Sequence, residues 1–164
     1  MCSHEDTAAF SDLYRFLKDK VGKDPKFKMA DGAKEISKAN VEVFGVPTTS
    51  SGPEHIRLMC WSHVFRNVTP QLKSIQKINK KLAASLLSDI ENLQWSVHNE
   101  ECFRQVYDLL EKKYFDKYTE DPEKVLLQTF FQYFRKQWVD SPVFRWYEGA
   151  HPWHISNNQG NYFL

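Results

Sequence analysis

Cysteine is scarce in this sequence. Cys2, Cys60 and Cys102 are odd in number and widely spaced, which excludes a disulfide framework. Free thiols point to a reducing compartment, so the chain is expected in the nucleus or cytoplasm. No apolar run approaches the length of a transmembrane helix, and no membrane partner is expected. The opening MCSHEDTAAFSD carries charges where a secretory signal would be apolar. Neither sign of charge dominates. Lys and Arg total 22 against 21 Asp and Glu, a net charge of +1. That balance removes any whole-chain footprint for nucleic acid and leaves only a local patch as a site. No repeat or low-complexity segment stands out, which excludes a repeat array.

Aromatic residues are plentiful. They make up 15% of 164 residues, with five Trp and twelve Phe, and hydrophobic residues reach 41%. This is a globular composition. The length suits one domain, or one domain carrying an insertion, and can bury a substantial core.

Periodicity divides the chain. Phe10, Leu13, Tyr14, Leu17 and Val21 predict a helix over 8–21, with Asp6 or Thr7 as its cap. Gly22 and Pro25 end it. FKMAD is a short strand candidate, and GAKEISKANVEVF a helix with Ala33, Ile36, Ala39 and Val43 on one side. GVPTTSSGP is the clearest loop. HIRLMCW is a second strand candidate. SHVFRNVTPQLKSI reads as helical, with Pro70 kinking it or separating two helices. Alternation of helix and strand implies a parallel α/β sheet.

From about Ile75 to Trp138 no strand pattern is present. Leu82, Leu86, Ile90 and Leu93 mark one helix, with Ala83 and Leu87 widening its face. Phe103, Val106, Leu110 and Tyr114 mark a second, capped by Asn99. Asp121-Pro122 reads as the start of a third. Its face is Leu126, Phe130, Phe134 and Trp138, with Leu127 and Phe131 beside it. The fold class expected is therefore α/β, mostly helical. Two strands cannot make a stable sheet alone, so further sheet is expected ahead of Met1. An incomplete sheet exposes edge groups, and self-association of the chain is expected.

Asp31 lies at the carboxyl end of the first strand, where functional groups of open α/β sheets gather. A carboxylate there can hold Mg²⁺ together with water and phosphate oxygens. Capping of the next helix is its ordinary role, and the two are compatible. In MCWSH, Cys60 and His63 are three apart. Thiolate and imidazole are good zinc ligands, but a structural site needs four. His55, His98, Cys102, His151 and His154 offer no compact second pair. Zinc is therefore not expected. A Cys–His nucleophile needs close side chains and an orienting group; a buried thiol beside a structural histidine is the favoured reading. Arg66, Lys73, Lys77, Lys80 and Lys81 form a basic run able to contact phosphates without reading sequence. With net charge near zero, a solvated helical face is the ordinary alternative. The aromatic helix ending at Trp138 has the spacing of core rather than of a stacking platform.

FKMADGAKEI and LMCWSHVFRNV resemble the Mutator-like element (MULE) transposase domain. In that family a strand ends in an aspartate, and a later strand leads into a Cys-x-x-His signature. Asp31 and Cys60/His63 match those positions. SHEDTAAFSDLYRFLK resembles the helix between the family's third and fourth strands. WHISNNQGNYF resembles the asparagine-pair motif, here Asn157 and Asn158, that opens the helix carrying the catalytic glutamate. The resemblance covers nearly the whole chain.

It implies a partial RNase H-like core over 1–70, an all-helical insertion over 71–150, and the start of the returning core helix over 151–164. It implies DNA as partner and Mg²⁺ or Mn²⁺ as cofactor. The implied chemistry is strand cleavage and joining by two metal ions on an Asp, Asp, Glu triad. The chain departs from this pattern twice. Asp31 corresponds to the second aspartate, and the strand carrying the first has no counterpart. Asn161 stands where the glutamate is expected, and a neutral amide does not replace a carboxylate at Mg²⁺. The expectation is a fragment or truncated descendant of such a transposase, not catalytic alone. A non-catalytic module that binds DNA or a protein is the alternative.

Overall fold

A computed structural model describes residues 6–22, 27–30, 34–45, 56–141 and 143–150. The chain divides into two compact units, Met1–Met59 and Cys60–Leu164.

The first unit opens with α1, Thr7–Val21. Asp6 caps it, its carboxylate accepting from the Ala9 N–H at 2.7 Å. Gly22 ends it in the left-handed region at φ 66°, its N–H donating to the Lys18 carbonyl at 2.9 Å. Strand β1, Phe27–Ala30, pairs in parallel with β2, Ile56–Met59, in the register Phe27↔Ile56 to Ala30↔Met59. A parallel pair needs a crossover, and α2, Lys34–Phe44, lies in that connection. Helices α1 and α2 pack together.

The face that α1 turns to α2 takes Tyr14 from the apolar stripe read from its periodicity and is otherwise polar. Its one buried residue is Ser11, whose hydroxyl donates to Glu42 at 2.8 Å. Arg15 pairs with the same carboxylate, and Tyr14 meets Phe44 edge-on at 5.5 Å. The rest of the stripe lies about a quarter turn round the helix. Its Leu13, Leu17 and Val21 are 49, 44 and 64% exposed, and Phe16, off the stripe, is 56% exposed.

The second unit is helical throughout its described residues. It comprises α3 (Trp61–Gln71), α4 (Lys73–Ile78), α5 (Lys80–Ser96), α6 (Glu100–Lys117) and α7 (Glu123–Phe134). A π-helical turn, Arg135–Val139, continues α7, and a short 3₁₀ turn spans Glu148–Ala150. The stretch 75–138 accordingly holds no strand among its described residues. Helix α3 belongs to this unit by the division after Met59, whereas the sequence places it with the α/β core. Pro70 sits near its C-terminus, and the helix breaks at Leu72 just beyond. Asn79 caps α5 by accepting from Leu82 at 3.0 Å, and Asn99 caps α6 by accepting from Cys102 at 2.8 Å.

An aromatic core holds this unit. Trp61 stacks on Trp146 at 5.5 Å, and Phe103 meets Trp146 edge-on at 5.3 Å and stacks on Tyr147 at 4.6 Å. Phe134 meets Trp146 at 5.8 Å and stacks on Tyr107 at 5.8 Å. The Trp146 indole N–H donates to the Trp138 carbonyl at 2.7 Å, so its polar atom is satisfied while its rings are buried. Gly149 approaches the α5–α6 connection so closely that a Cβ there would overlap the backbone of Val97 and His98. Its N–H donates to the Val97 carbonyl at 3.1 Å.

Two details differ from the periodicity. Tyr107, not Val106, completes the buried stripe of α6, because 103, 107, 110 and 114 share one face and 106 lies beside it. Helix α7 starts at Glu123, with Pro122 in the cap position and no side-chain cap. The Asp121–Pro122 peptide is cis. Asp121 is therefore in the turn and does not cap. Leu127, Phe130, Phe131, Phe134 and Trp138 are buried as core.

Candidate functional site

The Cys-x-x-His motif begins where β2 ends. Cys60 is the cap residue of α3, with extended torsions (φ −68°, ψ 126°) and no hydrogen bond from its thiol to the helix. Its carbonyl accepts from the His63 N–H at 3.1 Å and the Val64 N–H at 3.3 Å. Trp61, between the two motif residues, is buried in the second unit and stacks on Trp146. Its role was not separable from that of its neighbours in the sequence.

His63 is half-buried. Its Nδ1 lies 2.9 Å from the Arg66 guanidinium. A guanidinium only donates, so Nδ1 accepts and the ring proton sits on Nε2. Asn67 donates to the His63 carbonyl at 2.7 Å, and Tyr133 donates to the Asn67 carbonyl at 3.4 Å. Trp138 donates in turn to the Tyr133 hydroxyl at 3.1 Å. The motif histidine is thus tied through α3 to α7 and the π-helical turn.

No hydrogen bond joins the Cys60 thiol to His63 among the described residues. No group of three or more His, Cys, Asp or Glu side chains is poised for a metal among them either. Cys60 and Cys102 are free thiols.

The basic run is distributed over three helices. Arg66 lies on α3, Lys73 and Lys77 on α4, and Lys80 and Lys81 at the start of α5. All five are exposed. None makes an ion pair among the described residues. The break at Leu72 and the cap at Asn79 gather these cations around one short helix. Other cations of this unit do pair with carboxylates. Arg135 bonds Asp108 at 2.6 Å and Glu111 at 2.5 Å, and Lys113 bonds Asp89 at 2.6 Å.

Asp31 follows Ala30, the last residue of β1, and lies outside the described residues. Asn157, Asn158 and Asn161 also lie outside them, as do His55, His151 and His154. No helix is long and apolar enough to cross a membrane among the residues described. No family model, curated protein or solved structure matches this chain.

Proposed function

We propose that the chain is a fragment or truncated descendant of a MULE-type transposase and that, by itself, it does not cut DNA. In this reading 1–70 is part of an RNase H-like core, 71–150 is the family's insertion, and 151–164 starts the returning core helix. One observation carries the proposal: the order of β1, α2 and β2. A parallel strand–helix–strand unit has Asp31 directly after its first strand and Cys60/His63 directly after its second. Carboxyl ends of parallel strands are where such folds place their chemistry.

The residues present do not fit a two-metal centre. Of the three acidic positions the sequence matches the second alone, and Asn161 replaces the third. Mg²⁺ or Mn²⁺ would have one carboxylate where paired ions need several. No cleavage step is therefore assigned to this chain. The free thiols suit a nuclear or cytoplasmic protein.

The purified 164-residue chain is expected to leave supercoiled plasmid intact with Mg²⁺ or Mn²⁺. Metal-dependent nicking that disappears in Asp31→Ala would overturn this.

A second reading, a non-catalytic DNA-binding or protein-interaction module, is favoured by five exposed cations that make no ion pair among the described residues. Phosphate neutralisation predicts a slope of log K against log salt of about −4.5 if all five act. Lys73→Gln, Lys80→Gln and Lys81→Gln together should flatten that slope by about 2.7. Binding that is salt-independent, or unchanged in the triple variant, removes the reading.

A further inference from the structure

A groove of about 450 Å³ runs between α4 and the start of α7. Its floor is apolar: Ile78, Pro122, Val125 and Leu126 line it. Ile78 is 55% and Val125 49% exposed, so two aliphatic side chains stand in water. Its walls differ in sign. Lys77 lines the α4 side and Asp121 the α7 side. In sequence, Lys73 lies one turn before Lys77 on α4 and has its sign, and Glu120 and Glu123 flank Asp121-Pro122 with the sign of Asp121. Lys124 is the one opposing charge next to the acidic wall. Neither Lys77 nor Asp121 is ion-paired among the described residues.

We propose that this groove is the interface of a homodimer, its occupant the same groove of a second copy. The charge pattern selects that occupant. A twofold axis parallel to the groove turns a surface over and exchanges its two walls, so each copy's lysine wall meets the partner copy's acidic wall. The interface is self-complementary, as an isologous contact must be. Four helices then surround the apolar floors, which become the core of a small bundle, as facing helix pairs do in four-helix bundles. A uniformly acidic ligand would meet Asp121 across the groove, and a uniformly basic one would meet Lys77. The contact is short, since α4 has 6 residues, and its charges are exposed. The dimer is accordingly weak and sensitive to salt.

The test is sedimentation of the full chain over a concentration series at low and high salt, without nucleic acid. A monomer–dimer equilibrium that weakens with salt is expected. Lys77→Glu and Asp121→Lys should each raise the dimer Kd at least about tenfold, because a twofold axis repeats every substitution and like charges then oppose. The double variant restores complementarity with walls exchanged, and its Kd should return to within about threefold of the parent. Val125→Glu, at an exposed position, should abolish dimers while leaving the helical content unchanged. A chain that stays monomeric at all concentrations overturns the proposal. So does association that survives Val125→Glu, or a double variant no better than the singles. Binding of an acidic or basic peptide to a monomeric chain at Lys77 or Asp121 would assign the groove to another occupant and overturn it equally.

Discussion

Helices α1 and α7 are both amphipathic, and the two units use that property differently. In the helical unit the stripe of α7 is buried. Phe134 lies against Tyr107 and Trp146, and Phe131 packs near Tyr107, Tyr114 and Phe115. In the first unit Leu13, Leu17 and Val21 of the α1 stripe stand exposed, while Tyr14 and the polar Ser11 and Arg15 meet Phe44 and Glu42 of α2. The same periodicity thus marks a core in one place and an open surface in the other. Periodicity states that a helix has an apolar side; what meets that side is decided by chain elsewhere.

The largest contrast should appear on truncation. Trp146→Ala removes a fully buried indole from the aromatic cluster and should cost about 3–5 kcal/mol. Leu17→Ala, on the open stripe, should change stability by no more than about 0.5 kcal/mol. Thermal or denaturant unfolding of the two variants measures the difference. A large loss from Leu17→Ala would mean that the stripe is covered in solution.

Alkaline pH should select the helical unit. Burial, joined by the Glu100 charge, pushes the Tyr147 phenol up to about 12 from its ordinary 10.0. Tyr107 and Tyr114 are raised further, burial again the first cause. The fold holds these phenols neutral, so their contribution is complete below pH 10 and is lost as pH rises through the folded values. Near-ultraviolet circular dichroism of this aromatic core, followed from pH 9 to 12, should show cooperative loss above about pH 10. Tyrosines that titrate freely at their ordinary value with the fold intact would contradict the packing.

A smaller effect sits on α5. Gln94 is buried, and its Oε1 meets no donor among the described residues. Gln94→Met keeps the length and removes the unpaired oxygen, and should stabilise by about 1 kcal/mol. A destabilised variant would show that the amide has a partner.

The smallest effect belongs to the first unit. The Ser11 hydroxyl, and then Arg15, hold the Glu42 carboxyl below its ordinary 4.5, partly opposed by burial. A lowered carboxylate stabilises the fold above its unfolded value and ceases to as pH falls through its folded value. The α1–α2 contact should therefore weaken below about pH 4.5, and Glu42→Gln should remove that step. Carboxyl titration by NMR reports it directly.

Much of the helical unit was legible in the sequence. Leu82, Leu86, Ile90 and Leu93 keep one face and are buried, and Asn99 caps where its side chain can reach Cys102. Val106 was misassigned because its i+3 spacing from Phe103 also suits a helical face, whereas the buried face runs through Tyr107. Helix α3 was harder still. Its place in the helical unit depends on Trp61 meeting Trp146, a contact 85 positions away in the chain. Of the candidate site, the position of Cys60 and His63 at a strand end was readable from pattern. The Arg66 contact that fixes the histidine tautomer was not, since it depends on rotamers. The groove left a fainter mark, an isoleucine set among lysines in KINKK.

The account rests on one difference: the helical unit buries an extended aromatic core, whereas among the described residues of the first unit Leu13, Leu17 and Val21 of α1 stand exposed. Hydrogen exchange by mass spectrometry on the intact chain tests it most directly. Amides of α5, α6 and α7 should exchange near the rate of global unfolding, while those of α1 and α2 exchange much earlier through local opening. Equal, global protection of α1 and α7 would contradict the account.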